Sequence, residues 1–170
     1  MFELITQLFD IALFKKGPQD LPPSAALLWL LAVVDLAVGF LMASIQTHWF
    51  EALLQAVIGV VLLVGFSGLM LYTARKRARF YQTTSALLGV DALIGFIALP
   101  GIATMTTGKG VLLAFIVTVG LMIWHGAVIG HIIRNALEQT LMFGLGLAFL
   151  YLLVTYQVMA LLFPELAGID

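Results

Sequence analysis

Apolar residues run along this chain in long blocks broken by short polar islands, with strict alternation nowhere to be seen. Five blocks reach the roughly 20 residues that a helix needs to cross the hydrocarbon core of a bilayer. They cover about 24–43, 52–72, 85–105, 111–133 and 141–163. The first holds one charge, Asp35, and the second none. The third contains Asp91 and is interrupted by Pro100-Gly101, the fourth carries His125 and His131, and Pro164 ends the fifth. A membrane β-barrel would require segments of alternating polarity, and a run such as Val57-Ile58-Gly59-Val60-Val61-Leu62-Leu63-Val64 does not alternate. The pattern predicts an all-α fold, a polytopic bundle of five transmembrane helices within residues 24–170.

Only the first 16 residues show a helical stripe. Phe2, Ile5, Leu8, Phe9 and Ala12 fall on one face, and Glu3, Thr6, Gln7 and Asp10 share another. This predicts an interfacial amphipathic helix over 1–16, lying on one leaflet; an irregular tether is the alternative. Lys15 and Lys16 would suit its C-terminal dipole and anionic lipid. Gly17-Pro18 would stop it, and Ser24 would cap the first span. Glu3 and Asp10 interrupt the apolar run, which argues against a signal peptide.

Composition supports the same class. Of 170 residues 62% are hydrophobic and 10% charged, too few charges to keep a soluble domain of this size dispersed. Eight basic against nine acidic residues leave no electrostatic footprint for nucleic acid. With no cysteine there is neither a disulfide framework nor a thiolate metal site. The connections between spans are too short to hold a soluble catalytic domain, and GxSxG, HExxH and Walker-type loops are missing. Gly108-Lys109-Gly110 lacks the rest of a phosphate cradle. The expectation is a protein that is not an enzyme.

Basic residues fix an expected orientation. Lys15, Lys16, Arg75, Lys76, Arg77, Arg79 and Arg134 fall on one side of five alternating spans, and Lys109 alone on the other. By the positive-inside rule the N-terminus is cytoplasmic and the C-terminus outside, in a bacterial inner membrane. His48-Trp49-Phe50 would lie at the outer interface.

Asp35, Asp91 and His125 are the ionisable residues deep in the spans. Such groups are costly in hydrocarbon and usually face protein or water. At about 1.5 Å per residue, Asp91 lies roughly 9–12 Å from the cytoplasmic end of its span and His125 about 12 Å, so the two could pair; Asp35 is deeper, at roughly 16 Å. They read either as a proton or cation path, since histidine titrates near neutral pH, or as structural hydrogen bonds that fix helix packing. A bis-histidine haem site is not expected, because His125 and His131 share one helix and His48 lies in a loop. No cofactor or metal is implied.

Gly126 and Gly130 form a GxxxG element that permits close helix approach, within the bundle or to a second chain. Ala52, Ala56 and Gly59 offer similar spacing in span two. Arg75, Lys76, Arg77 and Arg79 make a juxtamembrane basic cluster, read as a topology determinant that can also attract anionic lipid.

Three stretches carry a family likeness: Gly17-Pro18-Gln19-Asp20-Leu21-Pro22, Arg79-Phe80-Tyr81-Gln82-Thr83-Thr84-Ser85-Ala86-Leu87-Leu88-Gly89, and Gly130-His131-Ile132-Ile133-Arg134-Asn135-Ala136-Leu137. With the span count and orientation, the chain resembles the bacterial branch of the Yip domain family, five-span relatives of Rab-interacting membrane proteins. That resemblance implies a non-enzymatic accessory, scaffold or assembly subunit acting through other membrane subunits, self-association and anionic lipids. The alternative from the residues themselves is a small proton- or ion-coupled carrier, or a subunit of one, using Asp35, Asp91 and His125.

Overall fold

A computed structural model describes residues 2–107 and 110–164. Six helices lie among the described residues, α1 (Phe2–Ala12), α2 (Ala25–Ala43), α3 (Trp49–Thr73), α4 (Phe80–Thr107), α5 (Val111–Leu137) and α6 (Leu141–Leu162), with short 3-10 turns at Pro18–Asp20 and Arg77–Arg79. Helices α2 to α6 are long and apolar enough to cross a membrane. Only 11–44% of each apolar stretch is buried within the chain, so most of the apolar surface faces outward. Trp29, Leu112, Met142 and Leu161 are each at least 70% exposed. Water would not tolerate that surface and lipid requires it. The chain is an integral membrane protein.

Helix α4 is the hub: α2, α3 and α5 pack around it, and α6 closes on α5 and the edge of α3. The α5–α6 seam is the tightest. A Cβ built on Gly144 would stand 2.3 Å from the Gly130 carbonyl oxygen, and one on Gly130 would stand 3.2 Å from Leu145 Cα. Glycine at both positions lets the two backbones touch. Gly126 faces Leu152 on the same seam, so the GxxxG element packs inside the bundle.

Local chemistry sets the ends. Ser24 Oγ accepts from the Leu27 amide and Thr140 Oγ1 from the Phe143 amide, each capping the helix that follows. Three boundaries differ from the sequence expectation. Helix α4 begins at Phe80 and runs through Pro100 without a break, with Thr104 Oγ1 donating to the Pro100 carbonyl at 2.6 Å. Helix α5 continues one turn further, to Leu137. Helix α1 stops at Ala12, ahead of Gly17-Pro18, and Phe14 adopts a left-handed conformation.

The amphipathic face of α1 is divided between protein and surroundings. Leu8, Ile11 and Ala12 are buried against the bundle, while Ile5 and Phe9 stay outward. Trp124 Nε1 of α5 donates to the Ala12 carbonyl at 3.0 Å, which ties the end of α1 to the spans. His131 Nε2 lies 3.0 Å from the Lys16 carbonyl.

One end of the bundle is strongly cross-linked. Arg79 Nη1 donates to the Asn135 and Ala136 carbonyls, at 3.2 and 2.9 Å, and so caps the C-terminus of α5. Its other nitrogen pairs with Glu138, as does Lys76 Nζ at 2.6 Å. Those two cations hold the Glu138 carboxyl below its ordinary range, chiefly through their hydrogen bonds to it. Gln82 Nε2 donates to the Gln19 and Leu21 carbonyls, fastening the turn before α2. Beneath this layer, Ser67 and Thr84 share a buried hydroxyl bond of 2.6 Å between α3 and α4. Residues 83–90 of α4 and 128–133 of α5 are all buried. At the opposite end α5 is largely exposed from Val111 to Ile123, apart from Ala114, Thr118 and Leu121. Lys109 and the residues beyond Pro164 lie outside the described residues.

Candidate functional site

The three ionisable residues of the spans meet where the packed half gives way to the open one. Asp35 comes from the middle of α2, Asp91 from α4 and His125 from α5. Helices α2 and α4 come close beside them because Gly95 has no side chain; a Cβ there would sit 3.1 Å from both Val38 Cγ1 and Met42 Sδ. His125 Nε2 lies 3.1 Å from Asp91 Oδ1. The distance is that of an ion pair, but the ring N–H is not aimed along it as a hydrogen bond requires. The contact therefore strengthens when the imidazole is protonated and loosens when it is neutral.

Asp35 is 8% exposed and accepts no hydrogen bond from the described residues. Asp91 of α4 stands within electrostatic range of it. Tyr151 of α6 also stands within electrostatic range of both carboxylates.

Both carboxylates line two adjoining cavities. One, of about 350 Å³, lies among α2, α3 and α4 and runs from Asp35 and Asp91 past Gln55 to Gln46 and Thr47 in the α2–α3 connection. Gln46 is exposed, so this cavity reaches the surface there. The other, of about 260 Å³, lies among α2, α4 and α5 and holds His125 and Thr118. Towards the basic end the path is closed by packed side chains, among them Leu28, Leu31, Leu88, Val128 and Ile132. The site is thus a pocket open to one side and sealed on the other. Gln55 Nε2 and Thr118 Oγ1 are buried with no partner and give it further polar atoms.

Sequence reasoning singled out Asp35, Asp91 and His125 by charge alone, and all three lie together. Gln55, Thr118 and Tyr151 were missed, since an uncharged polar residue in a span is common and unremarked. His131, the other intraspan histidine, belongs to the cross-linked end, where Asn135 Nδ2 lies 3.1 Å from its Nε2. The basic cluster divides by role. Lys76 and Arg79 turn onto Glu138, Arg77 lies 3.8 Å over the Tyr72 ring, and Arg75 is exposed in a left-handed conformation. Glu138 is the partner that its isolated place in the sequence did not reveal.

Among the described residues, no three carboxylate or imidazole groups converge to hold a metal ion. No family model, curated protein or solved structure matches this chain.

Proposed function

We propose that this integral membrane protein is a small carrier of protons or cations, or the carrier subunit of a larger machine, working through Asp35, Asp91 and His125. The observation behind this reading is the Asp91–His125 contact beside an unpartnered Asp35 in a pocket that reaches the surface at the α2–α3 connection. Carboxylates kept in a span for packing alone would be expected to have their oxygens satisfied. Here Asp35 and the cavity face of Asp91 are left for a ligand. The His125 imidazole can take a proton from the pocket and pass it to Asp91, 3.1 Å away. With the basic end cytoplasmic, as the positive-inside rule has it, the pocket takes its ligand from outside.

Reconstitution into liposomes loaded with a pH-reporting dye tests this under an imposed potassium diffusion potential. The wild type is expected to move protons or a supplied cation, and D91N to slow that flux at least tenfold. Equal flux in wild type, D91N and His125→Ala, or none in the wild type, overturns the reading.

The accessory or scaffold reading is the second, and the one that the Yip-domain resemblance implies. It is supported by Gly65, Gly120 and Gly146, whose Cβ positions meet nothing within 4 Å and are open to a further helix. Exposed Arg75 and Arg77 can meet anionic headgroups. A stoichiometric larger partner co-purifying from native membranes, with no flux from the chain alone, would favour it.

A further inference from the structure

The pocket also constrains what kind of cation it takes. We propose that it binds a small organic ammonium ion, a primary or secondary amine with a short hydrocarbon body, whose charged nitrogen sits on Asp35; this rests on the carrier reading above. Charge balance comes first. His125 faces Asp91 at 3.1 Å, while Asp35, 8% exposed, makes no ion pair among the described residues. A buried carboxyl group without a partner avoids ionising, and a positive charge beside it lets it ionise and form a charged pair.

Shape and lining then separate the kinds of monocation. A bare metal ion needs several oxygen ligands converging at about 2.3–2.6 Å if it is as large as calcium, and among the described residues no three carboxylate or imidazole groups come together to supply them. Cavities of about 350 and 260 Å³ are far larger than an ion. Val38, Met42, Ile94, Ala98, Ile102 and Leu121 give the second one an apolar wall. A few polar groups on a mostly apolar wall is the usual composition of a small-molecule site. No Phe, Tyr or Trp is among the described residues that line either cavity, so the cage that suits a quaternary ammonium is missing. An amine that keeps its N–H groups fits better: one bond goes to Asp35, and Thr118 Oγ1, buried without a partner in the same cavity, accepts another.

Calorimetry on the full chain in lipid nanodiscs tests this with cyclohexylammonium chloride, its neutral isostere cyclohexanol, and sodium chloride. The expected result is one cyclohexylammonium bound per chain, with cyclohexanol and sodium at least tenfold weaker, and a loss of tenfold or more in D35N. The wild-type comparison decides the matter even where D35N does not fold. Equal binding of amine and alcohol would reduce the pocket to an apolar void and overturn the proposal. Sodium competing as well as the amine would make it an inorganic cation site, with the same consequence. No amine binding, alongside proton flux that D91N abolishes, would overturn the amine and leave the carrier reading standing.

Discussion

The two ends of this bundle are built from the same apolar alphabet and behave as different materials. At the basic end, residues 83–90 of α4 and 128–133 of α5 are buried without interruption, and Arg79, Lys76, Gln82 and His131 tie connections to helix ends. At the other end α5 is largely exposed from Val111 to Ile123, and the space among α2, α3, α4 and α5 holds polar-floored cavities. Hydrophobic burial cannot be the reason, because lipid is as apolar as leucine and gives helices little cause to associate. Close backbone contact and polar cross-links produce the packed half. Where they stop, the pocket begins.

The strongest way to break this contrast is to wedge the seam. Gly144→Leu places a side chain onto the Gly130 carbonyl oxygen, 2.3 Å from an ideal Cβ at residue 144, and is expected to cost about 3 kcal/mol or more of stability. Gly146→Leu, two residues along where a Cβ meets nothing within 4 Å, is expected to change stability by under about 0.5 kcal/mol. Thermal unfolding of both variants in detergent measures the difference, and equal midpoints would show that the α5–α6 seam does not hold the packed end together.

A smaller effect is expected from the cap. Arg79→Gln removes two charged hydrogen bonds to the end of α5, worth about 1–2 kcal/mol together. It also frees Glu138, whose carboxyl is held below its ordinary value of 4.5 when folded. A carboxyl with a lowered folded-state value stabilises the fold fully above its unfolded value, and that contribution is lost as pH falls through the folded one. Wild-type stability should therefore decline as pH drops below about 4.5, and Glu138→Gln should flatten that part of the profile. A profile unchanged by the substitution would remove Glu138 from the lock.

Arg75 offers the mildest test, with the opposite sign. It holds φ 58° at the end of α3, a conformation that glycine adopts without strain. Arg75→Gly is expected to raise stability by about 0.5–1 kcal/mol while leaving the Lys76 and Arg79 contacts in place. A fall in unfolding midpoint would mean that Arg75 contributes more through its charge than its backbone costs.

Much of the architecture was legible in the chain because membrane spans announce themselves by length. Runs of 20 apolar residues located α2 to α6, and charge scarcity made Asp35, Asp91 and His125 conspicuous. The Pro100-Gly101 step misled, since a proline costs a long span one backbone hydrogen bond and α4 carries it without a break. Helix α1 was visible by its stripe, but the docking of Leu8, Ile11 and Ala12 was not, because a stripe that suits lipid also suits a helix bundle.

The sequence by itself determined that this is a five-span membrane protein with three ionisable groups inside its spans. Only the tertiary structure decided that Asp91 meets His125, that Asp35 stands without a partner, and that the pocket they share opens to one side. The physical reason is that lipid-facing and protein-facing residues of a span are both apolar, so the pattern that marks the buried face of a soluble helix is erased. Which faces touch is then set by a few glycines and polar pairs far apart in the chain, such as Gly130 with Gly144 and Arg79 with Glu138.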